Sequence, residues 1–472
     1  MAERHIVIVG GGFTGTALAI HLARRGAAGL QVTVIEPRPA LARGVAYGTQ
    51  DPAHRINVPA SRMQLSAAEE GEFDRWYRAS QAFPADPDAQ WQDGKVYPQR
   101  GQFGAYIAEQ FAKAAEHSAV KLTHVRDHAV ALRHGGVVTA SGEVYQADEV
   151  VLAISHPPPA VPKAIARALG QHPALIANPW RADALAAVKP QDSVAIIGTG
   201  LTMSDVVASL HRQGHRGKVL AFSRRGQLPR PNLSGDFPLW TLDYQRPQAD
   251  TARGWLHRVR QEVALAAASD LPWQLVLDDI RGNGQHIWQR LSLKEQKRFL
   301  RHLRPWWDVH RYRIAPQVSA VLAQSQADGR LQVLAARLQQ VSAEGEQVRL
   351  TLQPRGAAAQ SLLVDKIIVT TGPAHGALLE SDALLQQLAA DGLIQADPLA
   401  LGILVNGRSQ TVNLTGEANP HLHVVGPAAR GRFGELMGLP QVAEHAESLA
   451  NQLLEPQSLS AHGRCPASLK TC

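Results

Sequence analysis

Three consecutive glycines, Gly10, Gly11 and Gly12, then Phe13, Thr14 and Gly15, follow directly on the apolar run 6–9. The chemistry that this spacing serves is phosphate binding. Gly10 permits a tight turn, Gly12 lets the backbone approach a pyrophosphate, and Gly15 lets the next helix pack close to the strand. An alanine- and leucine-rich helical run follows, and its N-terminus turns free N–H groups towards the phosphates. A second apolar run, 32–35, ends at Glu36, 21 residues past Gly15. A carboxylate there accepts hydrogen bonds from ribose hydroxyls. The bland alternative is a glycine-rich turn in an ordinary βαβ unit; it leaves the acid at the required distance unexplained.

The pattern recurs at 193–205, where an apolar strand enters Gly198-x-Gly200, followed by Leu201 and Thr202. Met203 stands at the third glycine position. The next strand, 218–222, ends Ser223-Arg224-Arg225-Gly226. Guanidinium groups at that end suit a 2′-phosphate, which a carboxylate would repel. The second site is expected to prefer NADPH over NADH; plain surface charge is the alternative for both arginines.

Other reactive groups are sparse. The two cysteines, Cys465 and Cys472, lie in the last eight residues, and no Cys-x-x-Cys occurs. A cysteine zinc cluster and a Cys-x-x-Cys redox centre are excluded, and no metal is expected. No serine or cysteine nucleophile constellation is recognisable. In the stretch 306–316, His310, Arg311 and Arg313 face an anionic substrate or bridge two domains. His54 joins His310 as a candidate for proton transfer, and Arg430 and Arg432 are further candidates for anion binding.

The elements that must position these groups fit an α/β chain of 472 residues, long enough for two or three domains. Hydrophobic residues make up 45% and charged residues 19%, as in soluble globular proteins. The net charge of +7 is spread without long like-charge runs, which argues against nucleic acid. No secretory signal or membrane-length apolar run is read, so a reduced cytoplasmic protein is expected. The loop-rich segment 37–67 offers Tyr47, Gly48, Thr49, His54 and Asn57 to a ligand. The segment 68–100 reads as a surface excursion whose Trp76, Tyr77, Trp91 and Tyr97 pack on a neighbour. Helices are expected over 103–118, 251–268 and 293–303. Strands are expected over 121–132, 143–154, 331–334, 348–352, 365–371, 405–415 and 421–426. Val130 is expected to face the first cofactor. The runs ending at 154 and 371 each read as strands returning beside a dinucleotide site. A helix from Pro440 and Gln441 can stabilise partial negative charge on a ring held at its N-terminus.

Two nucleotide folds in this order resemble the two-dinucleotide-binding flavoproteins, an α/β class with two Rossmann-like folds. More narrowly, GGGFTG at 10–15, VAYGT and INVPASRM within 45–63, IIGTGLTMSD at 196–205, WWDVHRYR at 306–313 and GPAARGRFGELMGLPQVAEHA at 426–446 resemble one family. It is the bacterial FAD/NAD(P)-binding family related to flavin-containing and N-hydroxylating monooxygenases. The resemblance implies FAD bound by 1–190 and 326–455, NADPH (or NADH) bound by 191–325 with a helical insertion, and a flexible tail, 456–472. It implies a monooxygenase that uses O₂ on a small anionic or heterocyclic substrate; hydroxylation of urate to 5-hydroxyisourate is its most specific expectation. Two departures stand out. Gly426 is followed by Pro427 where the larger class has an Asp, and Ser155-His156 replaces a Thr-Gly strand end. A reductase passing electrons to another acceptor, and a nucleotide-binding module without turnover, remain open, as does the oligomeric state.

Overall fold

The computed structural model describes residues 3–154, 156–244 and 249–455. Ser155 and the tail with Cys465 and Cys472 lie outside them.

Two sheets are nested in the chain. The first has the order Gln410–Val412, Ala418–Val424, Glu149–Leu152, Arg4–Val9, Leu30–Ile35, Lys121–Val125. All neighbours are parallel except the Gln410–Val412 edge. β-Branched residues fill its centre, as a sheet covered on both faces requires. Ile6 and Ile8 meet the helix Phe13–Arg25 through Ala17 and Leu18, while Val7 and Val9 join Leu384, Leu388 and Val424 on the other face. The helices Arg100–His117 and Gln441–Leu454 pack against Phe13–Arg25. Both ends of the chain thus complete one unit.

The second sheet has the order Gln360–Val364, Gln347–Pro354, Leu331–Glu344, Val219–Ser223, Val194–Ile197, Lys366–Val369, Leu175–Ile176. Between Val219–Ser223 and Leu331–Glu344 lies a helical insertion, which includes Ala252–Ala268, Trp273–Gly282, Gly284–Arg290, Leu293–Arg298 and Arg304–Arg311. The two connections between the sheets touch at the bridge Pro159↔Pro373.

Four expectations are corrected. The strands at 331–369 belong to the second sheet, because Leu331–Glu344 pairs in parallel with Val219–Ser223; the boundary at 325 therefore falls inside one unit. The segment 68–100 is no surface excursion. Phe73, Tyr77 and Tyr97 are fully buried, since positions 73, 76 and 77 share one face of the helix Glu72–Ala79. The run 121–132 is two strands, Lys121–Val125 and Ala129–Arg133, the second in a separate three-stranded sheet. Asp127 makes the break, accepting from His128 N at 2.7 Å and Ser141 Oγ at 2.6 Å. Within 405–415 only Gln410–Val412 is strand.

Among the described residues no helix is long and apolar enough to cross a membrane. No group of three or more His, Cys, Asp or Glu among them could hold a metal.

Candidate cofactor and substrate site

Gly10 leaves its strand at φ +103°, and a Cβ there would lie 2.3 Å from Ala153 O. A Cβ on Gly15 would lie 1.9 Å from Gly10 O. Packing therefore demands glycine at both. Gly12 is different: the nearest atom to a Cβ there is Gly44 Cα at 3.7 Å, so the space before the helix is open. The helix Phe13–Arg25 has neither a side-chain cap nor an acid in its first turn. Its free N–H groups meet that open space, a cradle that fits a pyrophosphate.

Glu36 is buried beneath this turn. Its Oε2 accepts Gly11 N–H at 2.9 Å, and its Oε1 accepts Arg38 N and Nη1 at 3.0 Å each. The carboxylate thus shapes the glycine turn. With about four lone-pair sites per carboxylate, it can still accept a ribose hydroxyl. Phe13 is anchored away from the cradle, its ring packed on Phe103 at 5.5 Å and Tyr47 at 6.2 Å.

The C-terminal segment closes onto the same turn. Gly426 sits at φ +86°, and a Cβ on it would lie 2.8 Å from Thr14 Cγ2. Its N–H donates to His445 Nδ1 at 3.1 Å, so His445 Nε2–H donates to Ser409 Oγ at 2.8 Å. Burial pulls the His445 pKa down to about 4, which keeps the ring neutral. Pro440 caps the helix Gln441–Leu454. There Arg281 donates to Leu439 O at 2.5 Å and Gln441 Oε1 at 3.3 Å. Val130 falls at the bulge between Ala129 and Ala131.

The second turn repeats the first. Gly198 has φ +113°, and a Cβ there would lie 2.6 Å from Thr370 Oγ1. The returning strands Glu149–Leu152 and Lys366–Val369 thus occupy equivalent places beside the two turns. Gly200 faces open space, and the helix Leu201–Arg212, starting with Leu201 and Thr202, has no side-chain cap. Met203 is fully buried. Arg224 and Arg225 are exposed at the end of Val219–Ser223. The Arg225 guanidinium lies 5.5 Å from the Trp306 ring centroid, so this end also touches the helical insertion.

The four candidates for chemistry separate. His54 is buried between the two units. Its Nδ1 accepts from Thr49 Oγ1 at 2.8 Å and its Nε2–H donates to Ser209 Oγ at 3.0 Å. Both nitrogens are engaged, and the ring ties the two units together. Asn57 lies at the same junction; its carbonyl accepts from Asn232 Nδ2. Arg311 is buried and donates from Nε to Glu435 Oε2 at 2.7 Å. Arg313 pairs with Asp278. Both arginines bridge elements and leave no cation free for a substrate. His310 lines a cavity, donates from Nδ1 to Trp306 O at 2.7 Å, and so presents Nε2 as an acceptor.

That cavity, of about 630 Å³, lies between the helical insertion and the segment 430–437. Five tryptophans line it: Trp255, Trp273, Trp288, Trp306 and Trp307. Arg430 lines it as well, while Arg432 is exposed elsewhere. Sequence reasoning missed this wall, although five of the nine tryptophans fall within 252–311.

A family model described as FAD-NAD(P)-binding matches residues 7–157. No curated protein matches the sequence. The fold is similar to that of the ornithine hydroxylase of Pseudomonas aeruginosa, at TM-score 0.63 and 14% identity, covering 96% of this chain and 99% of that one. It is also similar to the ornithine N-hydroxylase of Kutzneria sp. 744, solved with reduced FAD, NADP+ and L-ornithine, at TM-score 0.61 and 15% identity over 96% and 99% of the two chains. The L-lysine 6-monooxygenase of Pseudomonas syringae gives TM-score 0.61 and 16% identity, again over 96% and 99%. The fold is thus that of a two-domain FAD/NAD(P)-binding flavoprotein.

Proposed function

We propose that the chain is an FAD-dependent, NADPH-consuming monooxygenase of small molecules. The observation that carries this is the pairing of two uncapped glycine turns, one in each nested unit, with a tryptophan-lined cavity beside the C-terminal segment. The same fold serves the ornithine and lysine hydroxylases named above.

FAD, when bound, supplies the two-electron chemistry that activates O₂. The chain's residues do the rest. The 10–15 turn and Glu36 hold the dinucleotide, and the 198–202 turn with Arg224 and Arg225 docks NADPH. In the net reaction NADPH gives a hydride, one oxygen atom enters the substrate, and the other leaves as water with the added proton. The apolar indole wall gives a substrate a surface that water solvates poorly. His310, whose Nε2 is left as an acceptor on the cavity wall, is the candidate for taking a substrate proton.

Urate is the specific substrate that the sequence resemblance puts forward, and nothing in the cavity lining singles it out. The reading is tested on the purified protein by its visible spectrum. A bound-flavin spectrum bleached by NADPH without oxygen supports it. A colourless protein that no added FAD can reconstitute overturns it.

A further inference from the structure

Arg430 is a buried cation with no ion pair among the described residues. It is only 5% exposed, and its Nε has no hydrogen-bond partner among the described residues. The carboxylates around it are committed elsewhere. Asp397 accepts the N–H groups of Leu399, Leu401 and Gly402. Asp308 pairs with Arg304 at 3.3 Å, and Glu435 with Arg311. Burial, with Arg304 nearby, outweighs the attraction of Asp308 and Asp397 and holds the Arg430 pKa below the usual arginine value. A buried charge in this state is costly unless a ligand pairs with it.

Most of the remaining wall is apolar and offers ring faces; its other charged groups include Arg304, Asp308 and Glu435, with Asp308 paired to Arg304 and Glu435 to Arg311. The indole N–H of Trp288 donates to Gly431 O and that of Trp307 to Glu435 Oε1, each at 3.0 Å. Those two tryptophans have no donor left for a polar occupant and contribute aromatic surface. A cationic side chain would meet the aromatic faces well, but it would enter beside the charge of Arg430. A urate anion would satisfy Arg430 but would set its ring N–H and C=O groups against Trp288 and Trp307, whose indole N–H groups are already engaged.

We infer that the cavity takes a hydrophobic carboxylic acid bearing an aromatic ring, its carboxylate paired with Arg430 and its ring among the tryptophans. The inference rests on the monooxygenase reading only in calling this occupant the substrate; binding itself needs neither NADPH nor oxygen.

The test is calorimetric titration of the oxidised, flavin-loaded protein with 3-phenylpropionate, 3-phenylpropanamide, urate and L-ornithine. The acid should bind about tenfold more tightly than its isosteric amide, as a charge-assisted pair worth about 1.4 kcal/mol requires. It should also bind more tightly than urate or ornithine. Arg430→Met should erase the preference for acid over amide while the flavin spectrum stays intact, and Arg430→Lys should keep part of it. Equal binding of acid and amide by the wild-type protein overturns the inference without any variant. So does tighter binding of urate or ornithine, or loss of flavin with unchanged acid binding in Arg430→Met. Tight acid binding without hydroxylated product would instead count against the monooxygenase reading alone.

Discussion

Arg100 and Asp205 form a two-pronged ion pair, Nη1 to Oδ2 at 2.8 Å and Nη2 to Oδ1 at 3.0 Å, buried where the two nested units meet. Arg100 starts the helix Arg100–His117 in the first unit, and Asp205 lies in the helix behind the second glycine turn. Removing one partner strands the other charge away from water. Arg100→Leu should therefore cost about 3–5 kcal/mol of stability, and the double change to leucine much less than the sum of the two single changes. Urea unfolding of the four proteins of the cycle reads this; additive losses would show that the two groups do not act as a pair.

Gly426 carries a second prediction. Its φ of +86° with ψ of −152° is a conformation reserved for glycine, and a Cβ would press on Thr14. Gly426→Ala should cost on the order of 1–3 kcal/mol and displace the first glycine turn. Flavin content per chain, measured from the visible absorbance of purified protein, should fall. An unchanged content would separate residue 426 from the cofactor seat.

The second turn predicts a coenzyme preference. The proposed NADPH dock sets the exposed Arg224 and Arg225 against the 2′-phosphate. Replacing both by alanine should raise the KM for NADPH roughly tenfold or more, the value of a lost charge-assisted contact, and change that for NADH little. Equal effects on both coenzymes would remove the phosphate role. Trp306→Ala should moderate the same parameter, because its ring supports Arg225.

Acid should destabilise the protein through its buried imidazoles. Burial lowers His21 and His445 from 6.5 to about 4 in the folded chain. Between those values the unfolded chain binds protons that the folded chain refuses. The stability from keeping these rings neutral is whole above pH 6.5 and is lost as pH falls towards 4, at up to about 1.4 kcal/mol per pH unit for each group. Urea midpoints from pH 7 to pH 4.5 should fall, and His445→Gln should flatten the slope. A slope unaffected by the change would remove His445 as a contributor.

The two glycine turns and the returning strands were legible because each obeys a local rule of spacing or strand-end chemistry. Gly10 and Gly198 even find equivalent partners, Ala153 and Thr370. The units' boundary was not legible, since Leu331–Glu344 joins the second sheet through a long-range pairing with no local mark. The partners of His54 and Arg311 were not legible for a related reason: a histidine or arginine near a motif carries no sign of its partner, and Ser209 and Glu435 lie more than a hundred residues away. Arg430 is the reverse case, a residue singled out for anion binding whose buried Nε has no hydrogen-bond partner among the described residues.

The central claim is oxygen transfer driven by NADPH. It is tested most directly by following NADPH oxidation, O₂ uptake and hydroxylated product together in one reaction, with aromatic acids and urate as substrates. The account predicts that one substrate accelerates NADPH oxidation and that the three quantities rise in equal amounts. NADPH oxidation that ignores every substrate and returns all the oxygen as hydrogen peroxide, or that proceeds without oxygen on an added acceptor, would contradict it and leave a reductase.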